Sequence, residues 1–205
     1  MPSIFSQEDK DAIRSRLLTE GKEMMLQSGI TKMNLEKLAL SAGIAKGTFY
    51  HFFRTKQHFI LAIIRSYQQQ RYEVLMKVAA EKKGSLTVRE AVEMFLSVYD
   101  PAENPMFHMR DRDLDWIAEK IPPSELFDPV MDLKCCNAIL SCVKNRRGEA
   151  DPRIVSNFSR MVMFTLMQRD NVHQEVLNEN IRMVVNLMAD YITGNSREEN
   201  LNHEI

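Results

Sequence analysis

Apolar residues recur three and four positions apart along almost the whole of this 205-residue chain, a spacing that specifies helices and little else. The first run, SQEDKDAIRSRLLTEGKEMMLQSG, opens on Ser6, an N-cap residue type, with acidic side chains behind it where a helix N-terminus favours them. Ile13, Leu17, Met24 and Met25 share one face, and Gly29 supplies a stop. Gly21 lies mid-helix, where it costs about 1 kcal/mol against alanine unless a neighbour packs close to it. A short second helix follows Asn34, another N-cap type, with Leu35, Leu38 and Ala39 inward and Gly43 closing it. AKGTFYHFF is a third, and a long fourth carries Phe59, Ile63 and Tyr67.

The pattern continues after a break at KKGSLT (82–87). LTVREAVEMFLSVY resumes a helix, five of the seven prolines punctuate residues 101–129 around a short helix near RDLDWIAEK, and VMDLKCCNAILSCVKN is the next. Asp151 and Pro152 open another helix as N-cap and first helical residue, and the last stops at Gly194. Seven glycines and seven prolines are too few for an all-β fold of tight turns, so the chain reads as all-α. A 44% apolar, 27% charged composition is ordinary for a globular protein and excludes disorder over most of the length.

Charge is uneven. Residues 1–65 hold ten basic and six acidic side chains, whereas the rest hold 17 basic and 22 acidic. A basic front on an acidic body suits a module that faces phosphates. MPSIFSQEDK has no basic start leading into an apolar run, and no stretch approaches the roughly 20 apolar residues of a membrane span, so the expectation is a cytoplasmic protein. Three cysteines, Cys135, Cys136 and Cys142, lack disulfide-framework spacing and are expected as buried thiols, with no metal and no cofactor.

Residues 34–53 combine a short helix, a turn at Gly43 and a second short helix, the helix-turn-helix plan. Ala42, Gly43 and Ala45 are the small residues of the turn, and Ile44, Phe49, Phe52 and Phe53 are candidates for the buried underside. That leaves Lys46, Thr48, Tyr50 and His51 facing outward on a helix slim enough for a major groove about 12 Å wide.

The string LEKLALSAGIAKGTFYHFFRTKQHFILAII resembles the DNA-binding motif of the tetracycline-repressor-like (TetR/AcrR) family of bacterial transcriptional regulators, over about residues 8–65. The resemblance implies roles residue by residue. Lys46 would start the recognition helix and reach a base edge or phosphate; Thr48 would meet a base or the backbone; Tyr50 would bond a phosphate and His51 a base or phosphate. Asn34 would cap the second helix against a phosphate, Lys56 would clamp the backbone from the fourth, and Gly47 would allow close approach to the duplex. Two positions depart from the family pattern: Ala45 stands where Ser or Thr is usual, and Arg54 replaces a frequent Pro.

The domain organisation so implied is a helix-turn-helix domain at 1–56, a helical effector-binding and dimerisation domain at 57–195, joined to the first through the long fourth helix, and a frayed tail at 196–205. Phe95, Tyr99, Phe107, Trp116 and Met161 are the pocket candidates for an unknown small-molecule effector. A single reading head contacts few base pairs, so helix-turn-helix proteins bind near-palindromic operators as dimers. Helices at about 152–169 and 175–193 would supply the homodimer, one through Ile154, Val155, Phe158, Met161, Val162 and Thr165, the other through Ile181, Val184, Val185, Met188 and Ile192. The expected function is a ligand-responsive repressor binding double-stranded DNA. The competing readings are an activator or an effector-independent DNA-binding protein and, further off, an enzyme with a disused motif; no catalytic residues stand out, and none is assigned.

Overall fold

The computed structural model describes residues 5–98, 102–146, 148 and 150–194, and these fold into helices alone apart from one isolated parallel bridge between Leu86 and Val143. Ten α-helices run along them: α1 (Gln7–Ser28), α2 (Leu35–Ser41), α3 (Lys46–Phe52), α4 (Lys56–Glu81), α5 (Val88–Val98), α6 (Asp111–Lys120), α7 (Pro123–Leu126), α8 (Pro129–Cys142), α9 (Pro152–Met167) and α10 (Gln174–Thr193). No helix among the described residues is long and apolar enough to cross a membrane. The caps read from sequence form as expected: Ser6 and Asp9 make a reciprocal capping box, and Asp151 accepts from the Arg153 amide with Pro152 behind it. The short α7 and the 3₁₀ turn at Pro105–His108 lie in the proline-rich stretch, where periodicity carries no signal over so few residues.

The helices gather into two compact units. The first runs to Arg71 and includes the segment ending at Asp128; the second begins at Tyr72 and resumes at Pro129. The chain therefore leaves the first unit inside α4, and the border expected at residue 56 falls within that unit.

In the first unit Leu17 and Met25 of α1, Leu38 of α2, Phe49 and Phe53 of the α3 region, and Phe59, Ile60 and Ile63 of α4 share one core, with Ile117 and Ile121 from the α6 region. Three phenylalanines form its centre: Phe49 and Phe59 lie 5.1 Å apart between ring centroids, and Phe53 lies 4.8 Å from Phe59, both edge-on. Such packing adds about 0.5–1.5 kcal/mol per pair beyond area burial. Gly21 of α1 exists for this core. A Cβ there would sit 2.5 Å from Phe59 Cζ and 2.8 Å from Ile63 Cδ1, so α1 and α4 cross at backbone-to-ring contact.

In the second unit Leu75, Val92, Cys135, Cys136, Ile139, Leu140, Val155, Met188 and Ile192 form a separate core among α4, α5, α8, α9 and α10. The faces expected to meet a partner chain divide here. Val155, Val162, Met188 and Ile192 are buried within the unit, whereas Ile154, Met161 and Phe164 of α9 and Val176, Met183 and Leu187 of α10 are exposed. Each residue along a helix turns about 100°, so Ile154 and Val155 serve different faces although the sequence places them side by side.

Alanine at position 21 would raise helix propensity yet collide with a ring that its own cluster holds in place. Gly21→Ala is expected to destabilise the protein by about 1–3 kcal/mol, the overpacking range. Thermal melting followed by circular dichroism checks this, at about 2–4 °C per kcal/mol for a chain of this size.

Candidate nucleic-acid interface

The outward face of the first unit is built by two short helices that have little stability of their own. Asn34 starts α2: its side-chain oxygen accepts from the Glu36 amide at 2.9 Å and the Lys37 amide at 3.1 Å. That fixes the oxygen inward, along the backbone, and leaves the amide NH2 end of an exposed side chain. The turn follows with Gly43 at φ 75°, a left-handed conformation that glycine adopts without strain, and the Ile44 amide bonds back to the Ala39 carbonyl at 3.0 Å.

Buried Phe49 anchors α3. Lys46, Gly47, Tyr50 and His51 are exposed and Thr48 is half-buried. Four of these, at spacings of three and four, form one outward stripe, in which Tyr50 keeps its ring edge-on to Phe49 at 5.4 Å between centroids. Ala45 occupies the N-cap position in extended conformation and makes no side-chain cap bond. Gly47 has no internal reason to be glycine: a Cβ added there meets nothing within 4 Å, and its φ is not in the left-handed region. A helical glycine that no neighbour requires costs about 0.5–1 kcal/mol relative to alanine and leaves the surface flat at that point.

Lys46 Nζ lies 3.6 Å from Glu36 Oε2 with both side chains more than half exposed, a pair of small energetic value. Lys56, the first residue of α4, lies with Nζ 5.8 Å from the centroid of the Trp116 ring. Burial lowers its pKa, and the negative charge of Asp113 works in the opposite direction. A cation in the first turn opposes the helix dipole, so Lys56 is not there for the stability of α4. Two neighbours escaped the sequence reading. Thr55 caps α4 by accepting from the His58 amide at 3.1 Å, a role that its residue type just before the helix could have signalled. Arg14 of α1 places its guanidinium 4.7 Å from the Phe53 ring centroid, and nothing in the sequence indicates that these two meet.

The effector-pocket candidates are divided between the two units. Phe95 lines an apolar cavity in the second unit with Val88, Ala91, Val92, Ile139 and Met188, whose volume is about 10 Å³, the lower limit for a single water. Phe107 and Trp116 pack in the first unit, Met161 is 55% exposed on α9, and Tyr99 lies outside the described residues. An aromatic or methionine in a helical stripe reads the same whichever core it joins, which is why composition grouped them. Cys135, Cys136 and Cys142 are all buried, and burial first, with Asp132 adding to it, pushes the Cys136 thiol up to about 12, so it stays protonated. Among the described residues no three His, Cys, Asp or Glu side chains are grouped to hold a metal.

A hydroxyl at position 45 should supply the cap that α3 lacks. Ala45→Ser is expected to stabilise the protein by about 1 kcal/mol, read as a rise in Tm, because the backbone there is already extended as an N-cap requires.

Comparison with known proteins places this geometry. Residues 17–63 match the model of the family described as bacterial regulatory proteins, tetR family. Over 72 residues the chain is 33% identical to the HTH-type transcriptional repressor NemR of Escherichia coli (strain K12), covering 35% of this chain and 36% of that protein. Over 59 residues it is 32% identical to the transcriptional regulator AcuR of Cereibacter sphaeroides, covering 29% and 27%. The chain thus spans about a third of the length of the curated relatives it matches. The crystal structure of E. coli NemR in its reduced form shares the fold, with a TM-score of 0.52 and 15% identity over 89% of this chain and 96% of that one. Over residues 17–63, the helix-turn-helix region of this chain is thus similar to the bacterial regulatory proteins of the tetR family.

Proposed function

We propose that the chain is a transcriptional repressor that binds a near-palindromic operator as a homodimer and releases it in response to a small molecule. The observation that carries this reading is the exposed stripe of Lys46, Gly47, Tyr50 and His51 on a helix pinned from behind by buried Phe49. A face of donors with a flat point at Gly47 fits a groove; a face serving only solvent has no use for an uncapped, glycine-bearing helix. In this reading Lys46 and His51 reach base edges or phosphates, Thr48 meets a base or the backbone, and Tyr50 donates to a phosphate. Asn34 donates through its free amide end, and Lys56 leaves Trp116 to clamp the duplex backbone. The printed names of the relatives, a transcriptional repressor and a transcriptional regulator, agree with this use of the motif.

The dimer follows from the second unit. Ile154, Met161 and Phe164 are spaced seven and three apart on α9, and Val176, Met183 and Leu187 seven and four apart on α10. Each set forms one outward stripe, and two such stripes per chain suit a four-helix interface between two copies. The effector is small and apolar in this reading, since the cavity around Phe95 and Met188 carries no charge. A ligand entering there would displace one of those side chains, because this cavity has room for about one water. That tightness favours a second reading, a repressor without an effector.

Selection of duplexes from a random pool by the full chain, followed by gel shift on the selected sequence, tests DNA binding. A sequence-selective band whose affinity falls steeply as salt rises is expected, because phosphate contacts release counterions. Gly47→Ala should be more stable yet bind this duplex about tenfold or more weakly, since each good contact to DNA is worth about 1–3 kcal/mol. Absence of any selective band would remove the proposal. Leu187→Asp with Met161→Asp should give a monomer by sedimentation, and the selected duplex should lose its two-fold preference. A thermal-shift screen of small apolar compounds separates the two effector readings: a compound that raises Tm favours a ligand-responsive protein.

A further inference from the structure

Beyond its charge acting on Lys56, Asp113 of α6 has no part in the contacts above, yet among the described residues it is the one buried carboxylate, with none of its surface exposed. Its Oδ1 accepts from the Thr31 amide at 2.7 Å and from the Thr31 hydroxyl at 2.8 Å. Its Oδ2 accepts from the Arg110 amide at 3.2 Å. The carboxylate also fills the space where a side chain at Gly29 would start, since a Cβ there would lie 2.2 Å from Oδ2. Gly29, at φ 77°, ends α1, and Thr31 stands three residues before Asn34, the cap of α2. One carboxylate thus holds the whole turn by which the chain enters the helix-turn-helix.

Its bond to the Arg110 amide serves the N-terminus of its own helix, but its two bonds to Thr31 serve no helix end. A buried charge is expensive to desolvate, and an apolar residue of similar volume commonly serves stability as well or better. Ile117 and Ile121 already pack this part of the chain into the core by apolar contact. Hydrogen bonds to a carboxylate are directional where apolar contacts are not, and here both donors of a single residue are fixed. Three residues on, the same helix carries Trp116, the ring beneath Lys56. Two neighbouring side chains of α6 therefore reach the entry to α2 and the start of α4, the two points that bracket the outward helix α3.

We infer that Asp113 is a positioning residue for the DNA-binding surface: through Thr31 it sets the entry of α2, and hence the placing of Asn34 and α3 against the duplex. The inference rests on the DNA-binding reading. Burial would raise the Asp113 carboxyl, but the Thr31 and Arg110 donors and the charge of Arg112 outweigh it and hold it below the usual carboxylate range, in keeping with a permanently ionised tie.

The test compares full-length chains on the duplex selected by the wild-type protein and on a random duplex, at a temperature where circular dichroism shows each variant folded. Asp113→Leu is expected to lose about tenfold or more in affinity for the selected duplex, as for a charged acceptor removed from part-buried hydrogen bonds. Binding to the random duplex should change far less, so selectivity falls. Asp113→Asn, which keeps an acceptor for Thr31, should recover most of the loss. Thr31→Val should weaken binding several-fold, and combining it with Asp113→Leu should add little further, the mark of one shared interaction. Leu140→Ala in the second unit supplies the control, losing stability but not selectivity. Should Asp113→Leu fail to fold, Asp113→Asn and Thr31→Val still decide, because an unchanged Thr31→Val overturns the inference. Selectivity equal to wild type in Asp113→Leu, or lost equally in Leu140→Ala, overturns it as well. A wild-type chain that selects no duplex overturns the DNA-binding reading and this inference together; one that selects a duplex which Asp113→Leu and Thr31→Val bind equally well overturns this inference alone.

Discussion

The contact of Phe59 with the backbone of α1 at Gly21 is the constraint on which the first unit depends. Because α1 has no side chain there, α4 can approach until the Phe59 ring fills the space, and that ring in turn seats Phe49 and Phe53. A seven-residue helix such as α3 cannot hold itself in water, since nucleation costs more than so few hydrogen bonds return. It is helical because Phe49 is buried, and its outward stripe is defined because the inward one is fixed. The outward stripe is thus set from behind, by a ring cluster that meets it through the edge-on contact of Phe49 with Tyr50.

The polar ties complement this packing. Asn34 spends its oxygen on the backbone of α2 and presents its other end outward. Asp113 spends one oxygen on Thr31 in the turn before it and the other on the Arg110 amide at the start of α6. Apolar contact decides that these helices pack together, and directional bonds decide at what angle the chain enters them. The two kinds of interaction divide the work between affinity of the parts for one another and their register.

The second unit follows a different rule. Its helices α9 and α10 are apolar on two faces, one consumed by the unit's own core through Val155, Val162, Met188 and Ile192, the other left exposed. Among the described residues its core includes an apolar cavity beside Phe95 and Met188 with room for about one water. What distinguishes this unit is the unspent apolar surface of Met161, Phe164, Met183 and Leu187.

The sequence by itself determined the helical class, the caps at Ser6, Asn34 and Asp151, the turn at Gly43 and the split of α3 into aromatic and polar faces. Each of these depends on residue type and short-range spacing, which the order of residues contains directly. It also raised the right question about Gly21 without answering it, since the answer lies 38 positions away in Phe59. Tertiary structure alone decided which apolar residues of α9 and α10 are core, that Phe95 and Trp116 belong to different units, that Arg14 meets Phe53, and that Asp113 reaches back 82 positions to Thr31. Those pairings depend on how helices cross. Crossing is a property of surfaces brought together from distant parts of the chain, and periodicity within one helix carries no record of its partner.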